Sequence, residues 1–216
     1  MDTILLLHGF AADPIIWKPQ IKEFSSDHNV SIDQDNENSQ IIIGWSLGGL
    51  KAIDLCLKRK NRIKALILVS SFAKFLKSDD YPHGLQTVLL WNLERKMKTD
   101  IVSGLRFFYN LMFNGSEPHP IIKTLPIPDN NRVFEELNIL KTEDKRAILD
   151  QIDVPTLIIH GDKDQIVPPA SAKYLNENIS GSELVMIPGT GHAPFLEEAD
   201  IFNSIIRKFI KRHEIL

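Results

Sequence analysis

A chain of 216 residues, 43% of them hydrophobic, can fill one core with room for a small inserted subdomain, and is too apolar to be disordered. Its net charge of −3 sets aside no basic surface for nucleic acid. The single cysteine, Cys56, excludes an intrachain disulfide and a cysteine metal cluster, in keeping with a reducing cytoplasm.

The first apolar run, Ile4-Leu5-Leu6-Leu7, follows Asp2 and stops at His8-Gly9. A signal peptide needs a basic flank and roughly 7–15 apolar residues, so this run reads as a buried strand over 3–7. No stretch approaches the roughly 18 apolar residues of a membrane span, and the expectation is a soluble, cytoplasmic protein that binds neither membrane nor nucleic acid. Asp13 as cap and Pro14 in the first turn predict a helix over 14–25. Residues 31–39, rich in Asp, Asn and Glu, predict a polar loop. Short Ile-, Leu- and Val-rich runs predict further buried strands at 40–45, 64–70, 154–160 and 183–187. Helices are predicted at 47–60, 169–178 and 198–212, the last with Ile201, Phe202, Ile205, Ile206 and Phe209 as its core stripe. This alternation is that of a mostly parallel sheet flanked by helices. The rhythm breaks between Ser70 and Pro155. Residues 84–114 and 130–150 look helical, with Pro118, Pro120, Pro126 and Pro128 between them. The predicted organisation is therefore a core of residues 1–71 and 151–216, with a helical cap inserted over 72–150.

Gly44-Trp45-Ser46-Leu47-Gly48 fits the G-x-S-x-G nucleophile elbow, with an apolar strand leading in and a helix leading out. The serine of such an elbow sits in a strained strand-to-helix turn, and only glycine two residues away leaves room for the backbone. Its hydroxyl is then presented at a helix N-terminus, where backbone N–H groups can face a developing oxyanion. The N–H groups of Leu47 and of Phe10, in the His8-Gly9-Phe10 loop after the first strand, are the expected oxyanion donors. His8 is read as bracing this loop. His160-Gly161-Asp162-Lys163-Asp164 follows one late strand and Gly189-Thr190-Gly191-His192 the next, giving the order serine, acid, base of an α/β hydrolase. Asp162 and Asp164 compete for the acid. Asp164 stands where a G-x-x-D pattern puts it, whereas Asp162 fits a turn-former. His160 is read as a core residue, and Cys56 as a small buried hydrophobe. The expected catalytic set is Ser46, Asp164 and His192, acting on an acyl ester through an acyl-enzyme, with no metal and no organic cofactor.

Gly44-Trp45-Ser46-Leu47-Gly48-Gly49-Leu50 and Ser70-Ser71-Phe72 resemble the pimeloyl-acyl carrier protein methyl ester esterases of biotin synthesis. The likeness continues through Leu125-Pro126-Ile127-Pro128, Leu137-Asn138-Ile139-Leu140-Lys141-Thr142, Asp144-Lys145-Arg146, Asp164-Gln165-Ile166-Val167-Pro168 and His192-Ala193-Pro194-Phe195. The stretch 125–146 is its most discriminating part. The resemblance implies hydrolysis of the methyl ester of a pimeloyl chain held on acyl carrier protein, with the acyl chain under the cap. It also implies substrate contacts from Trp45, Phe107 and Arg106, with Arg132 and Arg146 as further basic candidates. Residues 72–150 carry eleven Lys or Arg against eleven Asp or Glu, so docking of an acidic carrier would need local clustering of the bases.

The chain departs from the family before the elbow. Only about 22 residues separate Trp17 from Gln40, where members have a strand, a D-x-P-G-x-G-x-S loop and a helix, and an N-terminally shortened sheet is expected. A general carboxylesterase or thioesterase of small acyl substrates would use the same triad. A hydrolase-fold binding protein without chemistry would have no use for an intact Ser46, Asp164 and His192.

Overall fold

The computed structural model describes residues 1–215. Six strands form one sheet in the order β2-β1-β3-β4-β5-β6, and every pairing is parallel. They are β1 (Thr3–Leu7), β2 (Asn29–Ser31), β3 (Ile41–Trp45), β4 (Ala65–Val69), β5 (Thr156–Gly161) and β6 (Glu183–Ile187). Five of the six lie where apolar runs predicted them. The exception is β2, which pairs with β1 at the sheet edge. Its sequence, Asn-Val-Ser, is only partly buried, so no apolar run marks it. The segment before the elbow thus keeps an edge strand, and residues 32–40 form turns and no helix.

Side-chain alternation splits the core into two layers, as the period of a strand requires. Ile4, Leu6, Ile41, Ile43, Ile67 and Ile159 face one side; Leu5, Leu7, Ile42, Leu66, Leu68 and Ile158 face the other. The second layer is covered by α2 (Leu47–Lys58) and α6 (Pro169–Asn178), which bring Ala52, Ile53, Cys56, Ala172 and Leu175 to it. The first is covered by α1 (Lys18–Phe24), α7 (Pro194–Glu197) and α8 (Ala199–Arg212), through Phe24, Phe195, Phe202, Ile206 and Phe209.

The predicted helix over 14–25 is two pieces, a 3₁₀ turn Pro14–Trp17 and then α1. Asp13 caps the turn through a bond from the Ile15 N–H at 3.0 Å. A second proline, Pro19, restarts the chain in α1, where its missing N–H costs nothing. Between β4 and β5 stand α3 (Thr87–Thr99), α4 (Ile101–Met112) and α5 (Asn130–Thr142), followed by a 3₁₀ turn Arg146–Gln151. The stretch 84–114 is broken at Asp100, whose carboxylate accepts from the Val102 and Ser103 N–H groups and so begins α4. Asp129 begins α5 in the same way. Leu90, Leu93, Leu105, Phe108, Met112, Leu137 and Leu140 from these helices join the first core layer. Among the described residues no helix is long and apolar enough to cross a membrane.

Candidate active site

Three loops at the C-terminal edge of the parallel sheet converge, as ligand sites of such sheets do. The first is the turn from β3 into α2. Ser46 has φ 54° and ψ −120°, a strained conformation for a residue with a Cβ. Hydrogen bonds over-determine it: its N–H donates to the Val69 carbonyl at 2.8 Å, and its carbonyl accepts from the Gly49 N–H at 2.8 Å and the Ser71 hydroxyl at 3.0 Å. A Cβ on Gly44 would stand 2.5 Å from the Gly48 carbonyl, and one on Gly48 would stand 2.4 Å from the Leu7 carbonyl. Both glycines are thus demanded by backbone contact.

The second loop follows β1. A Cβ on Gly9 would lie 3.0 Å from the Ser46 Cβ, so this backbone passes directly beside the serine. Phe10 comes next, and Leu47 is the first residue of α2, where an N–H has no acceptor within the helix. Among the described residues neither the Phe10 nor the Leu47 N–H donates to a protein group. His8 Nδ1 donates to the Gly9 carbonyl at 2.9 Å. Burial lowers its pKa.

The third group comes from the ends of β5 and β6. His192 Nδ1 lies 2.7 Å from Asp164 Oδ2, and both residues are buried. Asp162 is turned away and accepts from the Gly189 N–H at 2.7 Å, so of the two competing aspartates only Asp164 meets the histidine. Asp164 Oδ1 accepts from the Ile166 and Val167 N–H groups at 2.8 and 2.9 Å. Burial by itself would raise this carboxyl's pKa. The facing His192, with hydrogen bonds from His160 and His192, outweighs burial and holds the group below the usual carboxylate range. His192 Nε2 is buried and, among the described residues, has no hydrogen-bond partner. It is the ring nitrogen left to exchange a proton.

A cavity of about 180 Å³ opens on Ser46, walled by Phe10, Phe75, Leu90, Phe107, Phe108 and Ile166, with Asn92 and Gln165 as its other polar residues. Among the described residues no charged side chain lines it. Such a cavity accepts an uncharged acyl chain and opposes a carboxylate, which would lose its hydration without gaining a partner.

The structure corrects the expected substrate contacts. Phe107 lines the cavity, but Trp45 does not. Trp45 is fully buried, packs on Phe195 and donates through Nε1 to the His192 carbonyl at 2.8 Å. Its indole needs a partner once buried, and the partner it takes is the histidine loop. Arg132 turns inward, its Nε 3.0 Å from Glu136 Oε1 and its Nη2 donating to the Ala12 carbonyl. Arg146 is held by Asp144 at 2.7 Å and Asp80 at 2.8 Å and lies over the Tyr81 ring. Both guanidiniums are already neutralised within the chain. Arg106 stays exposed on α4.

Several contacts carry no sequence signal. His160 is more than core filling: Nε2 lies 2.9 Å from the Val167 carbonyl and 3.2 Å from Asp164 Oδ2. Two acceptors on one nitrogen require the proton to sit there. The His192 N–H donates to the Met112 carbonyl at the end of α4, at 2.8 Å. Glu197 accepts the Gly191 N–H on both carboxylate oxygens at 3.0 Å. Gln165 donates to Asn114. Only the spacing of Arg132 and Glu136, four residues apart on a helix, could have pointed to their pairing.

Residues 133–199 match a family model described as alpha/beta hydrolase fold. A pimeloyl-acyl-carrier protein methyl ester esterase of Neisseria meningitidis serogroup C is 34% identical over 177 residues, covering 79% of this chain and 69% of the relative. A protein of the same name from Wigglesworthia glossinidia brevipalpis is 36% identical over 184 residues, covering 80% of this chain and 70% of that one. The chain spans 56% of the length of the Neisseria meningitidis serogroup A relative, at 35% identity. Among solved structures, an esterase of Exiguobacterium antarcticum superposes with a TM-score of 0.83 at 24% identity, covering 98% of this chain and 92% of the other. A hydrolase of Oleispira antarctica gives 0.86 at 22%, covering 98% and 91%. At these identities the likeness concerns the fold.

Proposed function

The chain belongs to the pimeloyl-acyl-carrier protein methyl ester esterase family of α/β hydrolases, and from that premise we propose that it hydrolyses the methyl ester at the end of an acyl chain carried on acyl carrier protein, within biotin synthesis. The observation that carries the reading is an uncharged cavity opening on Ser46 beside the buried Asp164–His192 pair. His192 takes the Ser46 proton through Nε2 as the hydroxyl oxygen attacks the ester carbonyl. Asp164 fixes the tautomer and stabilises the imidazolium. The N–H groups of Phe10 and Leu47 receive the oxyanion. The C–O bond to the methoxy group breaks, His192 returns the proton, and methanol leaves an acyl-Ser46 ester. Water, deprotonated by His192, then attacks that ester; the bond to Ser46 Oγ breaks, His192 returns the proton to that oxygen, and the free acid leaves. The neutral ester fits this lining and the ionised product does not, which promotes release of the product.

The carrier is proposed to dock around α3 and α4, the residues 72–150 acting as a cap over the acyl chain. Val88, Leu89 and Trp91 are exposed there, beside the exposed Arg95, Lys96 and Arg106. Long basic side chains on an apolar surface suit an acidic partner. The buried, unpaired thiol of Cys56, pushed up to about 11 by burial, fits the cytoplasm that this reading requires.

The test is methanol release from carrier-bound pimeloyl methyl ester by the purified chain. Turnover with saturation by the carrier supports the proposal. A second reading, a carboxylesterase of small free acyl esters, is favoured by the pairing of Arg132 and Arg146 with groups of this chain. It predicts equal kcat/KM for carrier-bound and free esters of one chain length.

A further inference from the structure

Phe10 is followed by a residue that should not hold its conformation unaided. Ala11 has φ 51°, the left-handed region where a Cβ crowds the backbone. Both of its backbone groups are held from the inserted helices. Its N–H donates to Glu136 Oε2 at 2.8 Å, and its carbonyl accepts from the Tyr109 hydroxyl at 3.1 Å. The next carbonyl, that of Ala12, accepts from Arg132, whose Nε meets the other oxygen of Glu136 at 3.0 Å. Glu136 is only 6% exposed, and its two oxygens are divided between a backbone N–H and the guanidinium. A carboxylate taken this far from water persists because both partners are in place.

We infer that Glu136, with Arg132, is a positioning residue that clamps the Phe10–Ala11–Ala12 backbone and so aims the Phe10 N–H at the oxyanion. The inference rests on the reading of Phe10 as oxyanion donor given above. Fixing the peptide planes on both sides of Ala11 fixes the torsions through which the loop would otherwise relax from its left-handed turn. Relaxation would swing the Phe10 N–H relative to Ser46, and such donors act only when pre-aimed. Phe10 is held on its side-chain face too, edge-on to Phe108 of α4 with ring centroids 5.2 Å apart. The two inserted helices thereby act on the chemistry through the loop backbone.

The experiment uses Glu136→Gln, which keeps the shape and removes the charge and one acceptor, and Tyr109→Phe, which removes the bond to the Ala11 carbonyl. Two readouts are taken together: kcat and KM on a p-nitrophenyl ester, and inhibition by an alkyl trifluoromethyl ketone, with the plain methyl ketone as ground-state control. The trifluoro compound forms a hemiketal on the serine and places its oxyanion in the donor site; the methyl ketone does not. Glu136→Gln should lower kcat about tenfold, a part of the ~10²–10³ that outright loss of a donor costs, with KM within about twofold. Affinity for the trifluoromethyl ketone should fall by the same factor while that for the methyl ketone holds. Tyr109→Phe should give the same pattern more weakly, and it carries the test if Glu136→Gln does not fold. A lower melting temperature with kcat and trifluoromethyl ketone affinity unchanged in both variants would overturn the inference and leave the oxyanion reading standing. A wild-type chain that forms no hemiketal would remove that reading, and the inference with it.

Discussion

The sheet edge that carries Ser46, Asp164 and His192 and the helices between β4 and β5 differ in what holds them. At the edge, conformation is dictated within a few residues. Gly44 and Gly48 admit no Cβ, Asp164 is tied by the N–H groups two and three residues ahead, and Asp162 closes its own turn. In the helices, local signals go no further than caps at Asp100 and Asp129. What these helices do is set by contacts 98 to 125 residues away along the chain, such as Tyr109 to Ala11 and Glu136 to Ala11. Chemistry is written locally and its support is not. Changes at the edge should therefore remove turnover outright, and changes in the helices should grade it or redirect it.

The largest effect expected is that of Ser46→Ala. With the proposed nucleophile gone, kcat should fall on the order of 10⁵–10⁶, while the melting temperature stays close to that of the wild type, since the change removes only a hydroxyl. Turnover of a p-nitrophenyl ester by pure variant at the wild-type rate would break the contrast at its root. Asp164→Asn comes next, with a loss of about 10⁴ through the wrong histidine tautomer. Asp162→Asn should stay within about tenfold, because its carboxylate accepts from the Gly189 N–H and closes a turn away from the histidine. A reversal of that order would assign the acid to the other aspartate.

The pH dependence sharpens the same point. Asp164 ionises below the ordinary carboxylate range in the folded chain, so the stability it contributes is present above its unfolded pKa and is lost as pH falls through the lower folded value. Across neutral and mildly acid pH it stays charged. Asp164 should then add no ionisation of its own to the acid limb of kcat/KM, where the base must be neutral to accept the serine proton. An ionisation on that limb that Asp164→Asn removes and Glu197→Gln leaves in place would contradict an Asp164 charged throughout that range.

The smallest effect is expected from Arg106→Glu. On the carrier-bound ester it should lower kcat/KM several-fold and flatten its salt dependence, because exposed rim charges act on association. On a small free ester it should stay within about twofold. Equal losses on both substrates would give Arg106 a part in holding the helices, and would blur the division between edge and insert.

The same division explains what the sequence made legible. Five strands and the order of Ser46, Asp164 and His192 were readable because apolar runs and glycine- or aspartate-bearing turns impose their structure on neighbouring residues. The edge strand β2 was not, since three partly buried residues paired on one side leave no pattern. The resemblance implies a place at the substrate for Trp45, Arg132 and Arg146. Their partners, the His192 carbonyl, Ala12 with Glu136, and Asp80 with Asp144, lie on other elements or across a turn that composition does not reveal. The strand pattern makes His160 a core residue, and its bond to Asp164 depends on how the loop after β5 folds back.

The central claim, that the strained serine of the elbow is the reacting group, is tested most directly by covalent labelling. The purified wild-type chain is treated with an alkyl p-nitrophenyl phosphonate, the p-nitrophenol released is followed, and the protein is digested for mass spectrometry. The account predicts one equivalent of phenol per chain, with a single phosphonyl adduct on Ser46, and no adduct in the Ser46→Ala or His192→Ala variants on the same time scale. An adduct on any other residue, or none on a folded wild-type chain that turns over esters, would contradict it.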